Sequence, residues 1–84
     1  MNKSELREKI KQLVYSDVAR ISDSNGIEFV IFRRPDINYD IDLWYDGYLE
    51  ESIEDLAIDG IFEQFDRVDM CYDDETKFEY IVRG

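Results

Sequence analysis

The stretch Asp36–Asp55, DINYDIDLWYDGYLEESIED, decides how the middle of this chain folds. Its first half alternates. Tyr39, Ile41, Leu43 and Tyr45 fall on one side of an extended chain, and Asn38, Asp40, Asp42 and Trp44 fall on the other. That is the pattern of a half-exposed strand. Asp46-Gly47 then makes a turn, and beyond it Leu49, Ile53, Leu56 and Ala57 recur at helical spacing, which predicts a second helix. One continuous rod would carry Ile58 and Phe62 onto an acidic outer face, so a break is expected at Asp59-Gly60, with a short helical turn to about Phe65.

Toward the N-terminus, Leu6, Ile10, Leu13, Val14, Val18 and Ile21 share a helical period, which predicts an amphipathic helix from Asn2 to about Ile21, capped by Asn2 or Ser4. Lys3, Glu5, Arg7, Glu8, Lys9 and Lys11 fill its other face, and the turn chemistry of Asp23–Gly26 (DSNG) stops it. Ile27–Phe32 (IEFVIF) is apolar on both alternating sides, the composition of a central strand covered on two faces. Pro35 fixes a turn after it. Beyond the middle, Val68, Met70 and Tyr72 alternate, Asp73–Thr76 (DDET) turns, and Phe78, Tyr80 and Val82 alternate again, which predicts a terminal hairpin. The expected architecture is α+β, in the order αββαββ: an antiparallel sheet packed against an N-terminal amphipathic helix. At 84 residues the chain reads as one domain over 1–84, with room for one core and its function on the surface of that core.

Charge is the second signal. The formal net charge is −11, and from Pro35 through Asp66 there are eleven acids and no base. Residues 1 to 20 carry five bases and three acids, whereas residues 35 to 84 carry three bases and sixteen acids, so the chain is polarised. Ordinary soluble surfaces intersperse the two signs, because like charges at helical spacing each cost a few tenths of a kcal/mol. A field of this sign repels phosphates, which argues against direct binding to nucleic acid or an anionic membrane and makes basic proteins the natural partners.

Catalysis and metals find little here. The chain has no histidine, and so lacks the usual neutral-pH base and the commonest metal ligand. Cys71 is its one cysteine, without a histidine partner or neighbouring bases to form a thiolate, and no disulfide is possible within the chain. A calcium loop starting at Asp42 places Asp46 and Gly47 correctly but puts Trp44 and Ile53 where ligands belong. The four glycines are scattered and form no phosphate loop. The expectation is a non-enzyme without cofactor or metal. MNKSELREKIKQL is charged and amphipathic, with no apolar run for a signal or a membrane span, so a cytoplasmic location is expected.

Outward residues two apart on a strand, or four apart on a helix, stand about 6 to 7 Å from each other, broadly the spacing of phosphates along an extended nucleic acid strand. Asp40 and Asp42 are such a strand pair; Glu50 with Glu54, and Glu51 with Asp55, are the expected helix pairs. Together with Asp46, and with Trp44 as an aromatic anchor on the side of Asp40 and Asp42, they form the candidate partner-binding set.

In size, charge and composition, carried by DINYDIDLWYDGYLEESIED and by Met70–Tyr80 (MCYDDETKFEY), the whole chain resembles the small acidic inhibitors encoded by phages and mobile elements, among them many anti-CRISPR proteins and the inhibitor of uracil-DNA glycosylase. That resemblance implies a DNA mimic that binds a CRISPR effector or another host nuclease where DNA would sit. Two other readings stay open. One is an immunity protein or antitoxin that neutralises a basic toxin nuclease. The other is an acidic adaptor subunit that uses the apolar faces of Ile27–Phe32 and Leu6–Ile21 to dimerise. The expected state is accordingly monomer or homodimer.

Overall fold

The computed structural model describes all 84 residues. Helix α1, Lys3–Lys11, starts at a reciprocal cap: the Asn2 side chain accepts from the Glu5 backbone N–H at 2.8 Å, and the Asn2 N–H donates to the Glu5 carboxylate. Leu6 and Ile10 are its buried residues, and Lys9 and Lys11 lie at the carbonyl end of the helix dipole. The helix does not reach Ile21 as expected. It ends at Lys11 with Gln12 as its C-cap, and beyond it the Asp17 carboxylate accepts from the Val14 N–H at 3.0 Å and Ser16 takes a positive φ of 71°. Val18–Ser22 is instead strand β1, with Ala19 and Ile21 buried. Helix and strand periods coincide at Ile21, and pairing with the next strand selects between them.

Asp23 folds the following turn by accepting from the backbone N–H groups of Asn25 and Ile27. Strand β2, Ile27–Arg33, pairs antiparallel with β1, and strand β3, Tyr39–Tyr45, pairs antiparallel with β2. The expected second helix is a strand. Asp46 and Gly47 both adopt positive φ, 53° and 86°, which makes the two-residue turn that matches sheet twist, and Tyr48–Leu56 returns along β3 as β4.

Two bulges in β4 explain the misleading spacing of its apolar residues. Leu43 faces Glu51 while Trp44 faces Leu49, so Glu50 is an extra residue; Tyr39 faces Leu56 while Ile41 faces Ile53, so Asp40 is opposed by both Glu54 and Asp55. Without the first bulge, Ile53 would point away from the helices. Without the second, Asp55 would take the inward place that Leu56 holds.

Helix α2, Ile58–Arg67, runs through Asp59-Gly60 without the expected break and buries Ile61, Phe62 and Phe65. A Cβ on Gly60 would stand 3.2 Å from the Leu56 side chain, so glycine lets the helix start close against β4. Val68–Tyr72 is not a strand and there is no terminal hairpin: the Met70 N–H closes on the Phe65 carbonyl at 3.0 Å, ending α2, and Thr76 ties the next turn by donating to the Cys71 carbonyl. The last strand, β5, Lys77–Val82, pairs antiparallel with β1.

The fold is therefore α+β, as expected, but its order is αββββαβ with sheet order β4-β3-β2-β1-β5. Both helices cover one face. Leu6, Ile10, Ile61 and Phe65 meet Ala19, Ile21, Phe29, Ile31 and Ile41 in one core, with the Phe29 and Phe65 rings edge to face at 4.8 Å. No helix is long and apolar enough to cross a membrane.

Candidate functional site: the open face of the sheet

The other face of the sheet has no helix over it. Along β2 the inward Ile27, Phe29 and Ile31 are buried, whereas Glu28, Val30 and Phe32 alternate with them and are only half-buried. The expectation that this strand is covered on two sides is thus corrected: its second apolar row is part of the open face. Asp40, Asp42 and Trp44 on β3 point the same way, in register with Phe32, Val30 and Glu28. Arg20 on β1 lies across from Val30 and is the base on this part of the face.

Two shallow clefts cross it. One, of about 440 Å³, lies between Arg20, Glu28, Val30, Phe32, Asp42 and Trp44. The second, of about 340 Å³, lies between Phe32, Asp40, Asp42, Ser52 and Glu54. Phe32 and Asp42 border both, so the clefts adjoin. Trp44 is half-buried, and its indole N–H is enclosed without a hydrogen-bond partner in the protein.

Eight residues were expected to make the site, and the bulges of β4 separate them. Asp40, Asp42, Trp44 and Glu54 share the open face. Asp46 is in the β3–β4 turn. Glu50 and Glu51 border a different cleft, about 450 Å³ between β4 and α2, with Leu43, Tyr45, Arg67 and Val68. Since Tyr48–Leu56 is extended, the helix pairs Glu50–Glu54 and Glu51–Asp55 do not exist. Asp55 has a positive φ of 61° in the second bulge, and its N–H donates to the Asp40 carboxylate at 3.0 Å.

The base-free stretch is not free of counter-charge in space, because the arginines that flank it fold back onto it. Arg34 reaches Asp40 at 3.0 Å, Asp36 at 3.3 Å and Asp55 at 3.7 Å. The backbone N–H of Asn38, and then Arg34, hold the Asp36 carboxyl below the usual carboxylate range. Arg67 pairs with Glu51. Asp42 accepts from the Ser52 hydroxyl at 2.7 Å but has no ion pair, and neither do Asp46, Glu50 and Glu54. The uncompensated acids of the expected set are these four. On the helix layer the basic side of α1 is tied to α2 by Lys3–Asp66 at 3.2 Å and by Arg7–Asp59.

Sequence reasoning missed Glu28, Val30, Phe32 and Ser52 as parts of the face. The polar Glu28 inside IEFVIF was the available signal, since a strand covered on both sides has no place for an unpaired carboxylate; here it pairs with Arg20 at 3.1 Å. No three carboxylate or thiol groups converge to hold a metal ion. Cys71 is half-buried and accepts from the Asn25 side-chain amide at 2.9 Å. Comparison with protein-family models, curated proteins and solved structures returns no match to this chain.

Proposed function

We propose that this protein is a non-catalytic inhibitor of the anti-CRISPR, DNA-mimic kind. Its open acidic sheet face docks on the nucleic-acid-binding surface of a CRISPR effector or other nuclease and keeps DNA away. What supports this reading is one observation: Asp42 and Glu54 stand uncompensated beside Phe32 and Trp44 on a sheet face that nothing in the chain covers. A net charge of −11 supplies long-range attraction to a cationic groove, and a desolvated aromatic supplies contact energy once it is engaged.

The test is capture of binding proteins from a bacterial lysate with immobilised protein, with and without duplex DNA. The expected result is recovery of nucleic-acid-binding proteins that duplex DNA displaces, and whose recovery falls as salt is raised through physiological strength. A variant with Asp42, Asp46, Glu50 and Glu54 changed to their amides is expected to recover them poorly while keeping its fold. Recovery indifferent to duplex DNA and to the four substitutions overturns the reading.

A further inference from the structure

We propose that the occupant of the open sheet face is a cationic amphipathic α-helix of the partner, its apolar stripe on Val30, Phe32 and Trp44 and its lysines or arginines over Asp42 and Glu54. This rests on the reading that the partner is basic, and goes further by stating the structural element and chemistry that the face receives. Dimensions come first. The two clefts adjoin at Phe32 and Asp42 and extend from Arg20 on β1 to Glu54 on β4. Three inter-strand steps of about 4.8 Å span roughly 14 Å, which accommodates a helix about 10 Å in diameter.

Composition decides between a helix and a purely ionic ligand. A face that only imitates phosphates has no use for an apolar floor, yet Val30, Phe32 and Trp44 supply one at the centre. Only an occupant with an apolar stripe removes that floor from water, a gain of about 25 cal/mol per Å². The carboxylates lie beside the floor, and Asp42 and Glu54 have no base in the chain to satisfy them. Arg20, the cation nearby, is already shared between Glu28 at 3.1 Å and Glu79 at 3.4 Å. An amphipathic helix with basic margins complements both features. A second copy of this chain would bring another −11 against the same acids.

Trp44 is the single tryptophan, so indole emission reports on this face alone. The probe is a synthetic peptide of leucine and lysine, about 18 residues or five turns long, patterned as an amphipathic helix. Its controls are the same composition in scrambled order and a leucine–glutamate counterpart. The expected result is a saturable blue shift with the leucine–lysine helix, affinity about tenfold lower for the scrambled peptide, and no binding of the acidic one. The double variant Asp42→Asn/Glu54→Gln is expected to lose about tenfold in affinity, whereas Glu63→Gln/Asp69→Asn, which removes the same charge elsewhere, changes it little. Circular dichroism confirms the fold of each variant.

An absent emission change, equal binding of the scrambled peptide, or equal losses in the two double variants overturns the proposal. So does an emission shift that depends on protein concentration without peptide, which would assign the face to a second copy. DNA-displaceable capture that survives such a failure would leave the inhibitor reading standing with a different mode of contact.

Discussion

Arg34 stands immediately before the base-free stretch in sequence, yet its guanidinium reaches Asp40 inside that stretch at 3.0 Å. It also reaches Asp36 and Asp55, so a single cation gathers three acids at the end of the β3–β4 hairpin. Arg34→Gln is expected to lower the thermal midpoint. Because it uncovers Asp40, the same change is expected to speed association with a cationic partner at low salt. Stopped-flow association rates and thermal unfolding check the two halves; an unchanged midpoint would mean that the three acids do not need the arginine.

The Asp46-Gly47 turn holds the register that places Trp44 across from Leu49. A Cβ on Gly47 meets nothing within 4 Å, so the penalty for a side chain there is purely conformational. Gly47→Ala is expected to destabilise the fold by about 1 kcal/mol through the positive φ. Urea unfolding measures it, and no loss would contradict the turn geometry.

The enclosed Trp44 N–H has no partner, and such a group costs about 1 kcal/mol or more. Trp44→Phe keeps an aromatic ring without that donor and is expected to leave stability unchanged or slightly raised, whereas Trp44→Ala lowers it. A marked loss in the phenylalanine variant would reveal a hydrogen bond at the indole.

Acid sensitivity should involve Asp17, which is 3% exposed, as well as Asp36. Asp17 accepts from the Val14 N–H and from the Gly84 N–H at 2.7 Å, and these bonds, with help from the Arg83 charge, hold its carboxyl below the ordinary aspartate range. The folded protein therefore favours the carboxylate, and the stability this contributes is present above the unfolded pKa and lost as pH falls through the lower folded one. Asp17→Asn is expected to be less stable at neutral pH and to show a flatter stability curve below about pH 4.

Alkaline sensitivity should involve Tyr72, whose buried hydroxyl has no partner and whose pKa is pushed up to about 12, first by burial and then by the Asp66 charge. The folded state favours the neutral phenol, so that stability is complete below about pH 10, the unfolded value, and is lost as pH rises toward 12. Tyr72→Phe is expected to reduce the loss between those two values. Denaturant midpoints measured across that range give the comparison.

Where a strand or cap obeys a simple period, the sequence was legible. Asn2 as a cap, IEFVIF as a strand, the alternation of Tyr39–Tyr45 and the final Phe78, Tyr80, Val82 run all correspond to elements of the fold. The place of Asp40, Asp42 and Trp44 on one face was legible for the same reason. β4 was not, because its two extra residues convert a period of two into intervals that imitate a helix. Glu51 turns toward α2 and Arg67 through the first bulge, and no local pattern announces that. The capture of acids by Arg34 and Arg67 depends on chain reversal. The bareness of the outer face depends on where both helices pack.

The ties between α1 and α2 have an effect at long range. With Lys3 on Asp66 and Arg7 on Asp59, the charges of the two helices sum to zero, whereas β3 and β4 together hold six acids and no base. β3 and β4 are thus an acidic pair of strands beside a neutral pair of helices, and Asp69, Asp73, Asp74 and Glu75 add a second acidic segment between α2 and β5. A cationic surface within one Debye length, about 8 Å at physiological salt, is drawn to these segments and gains little from the helix layer.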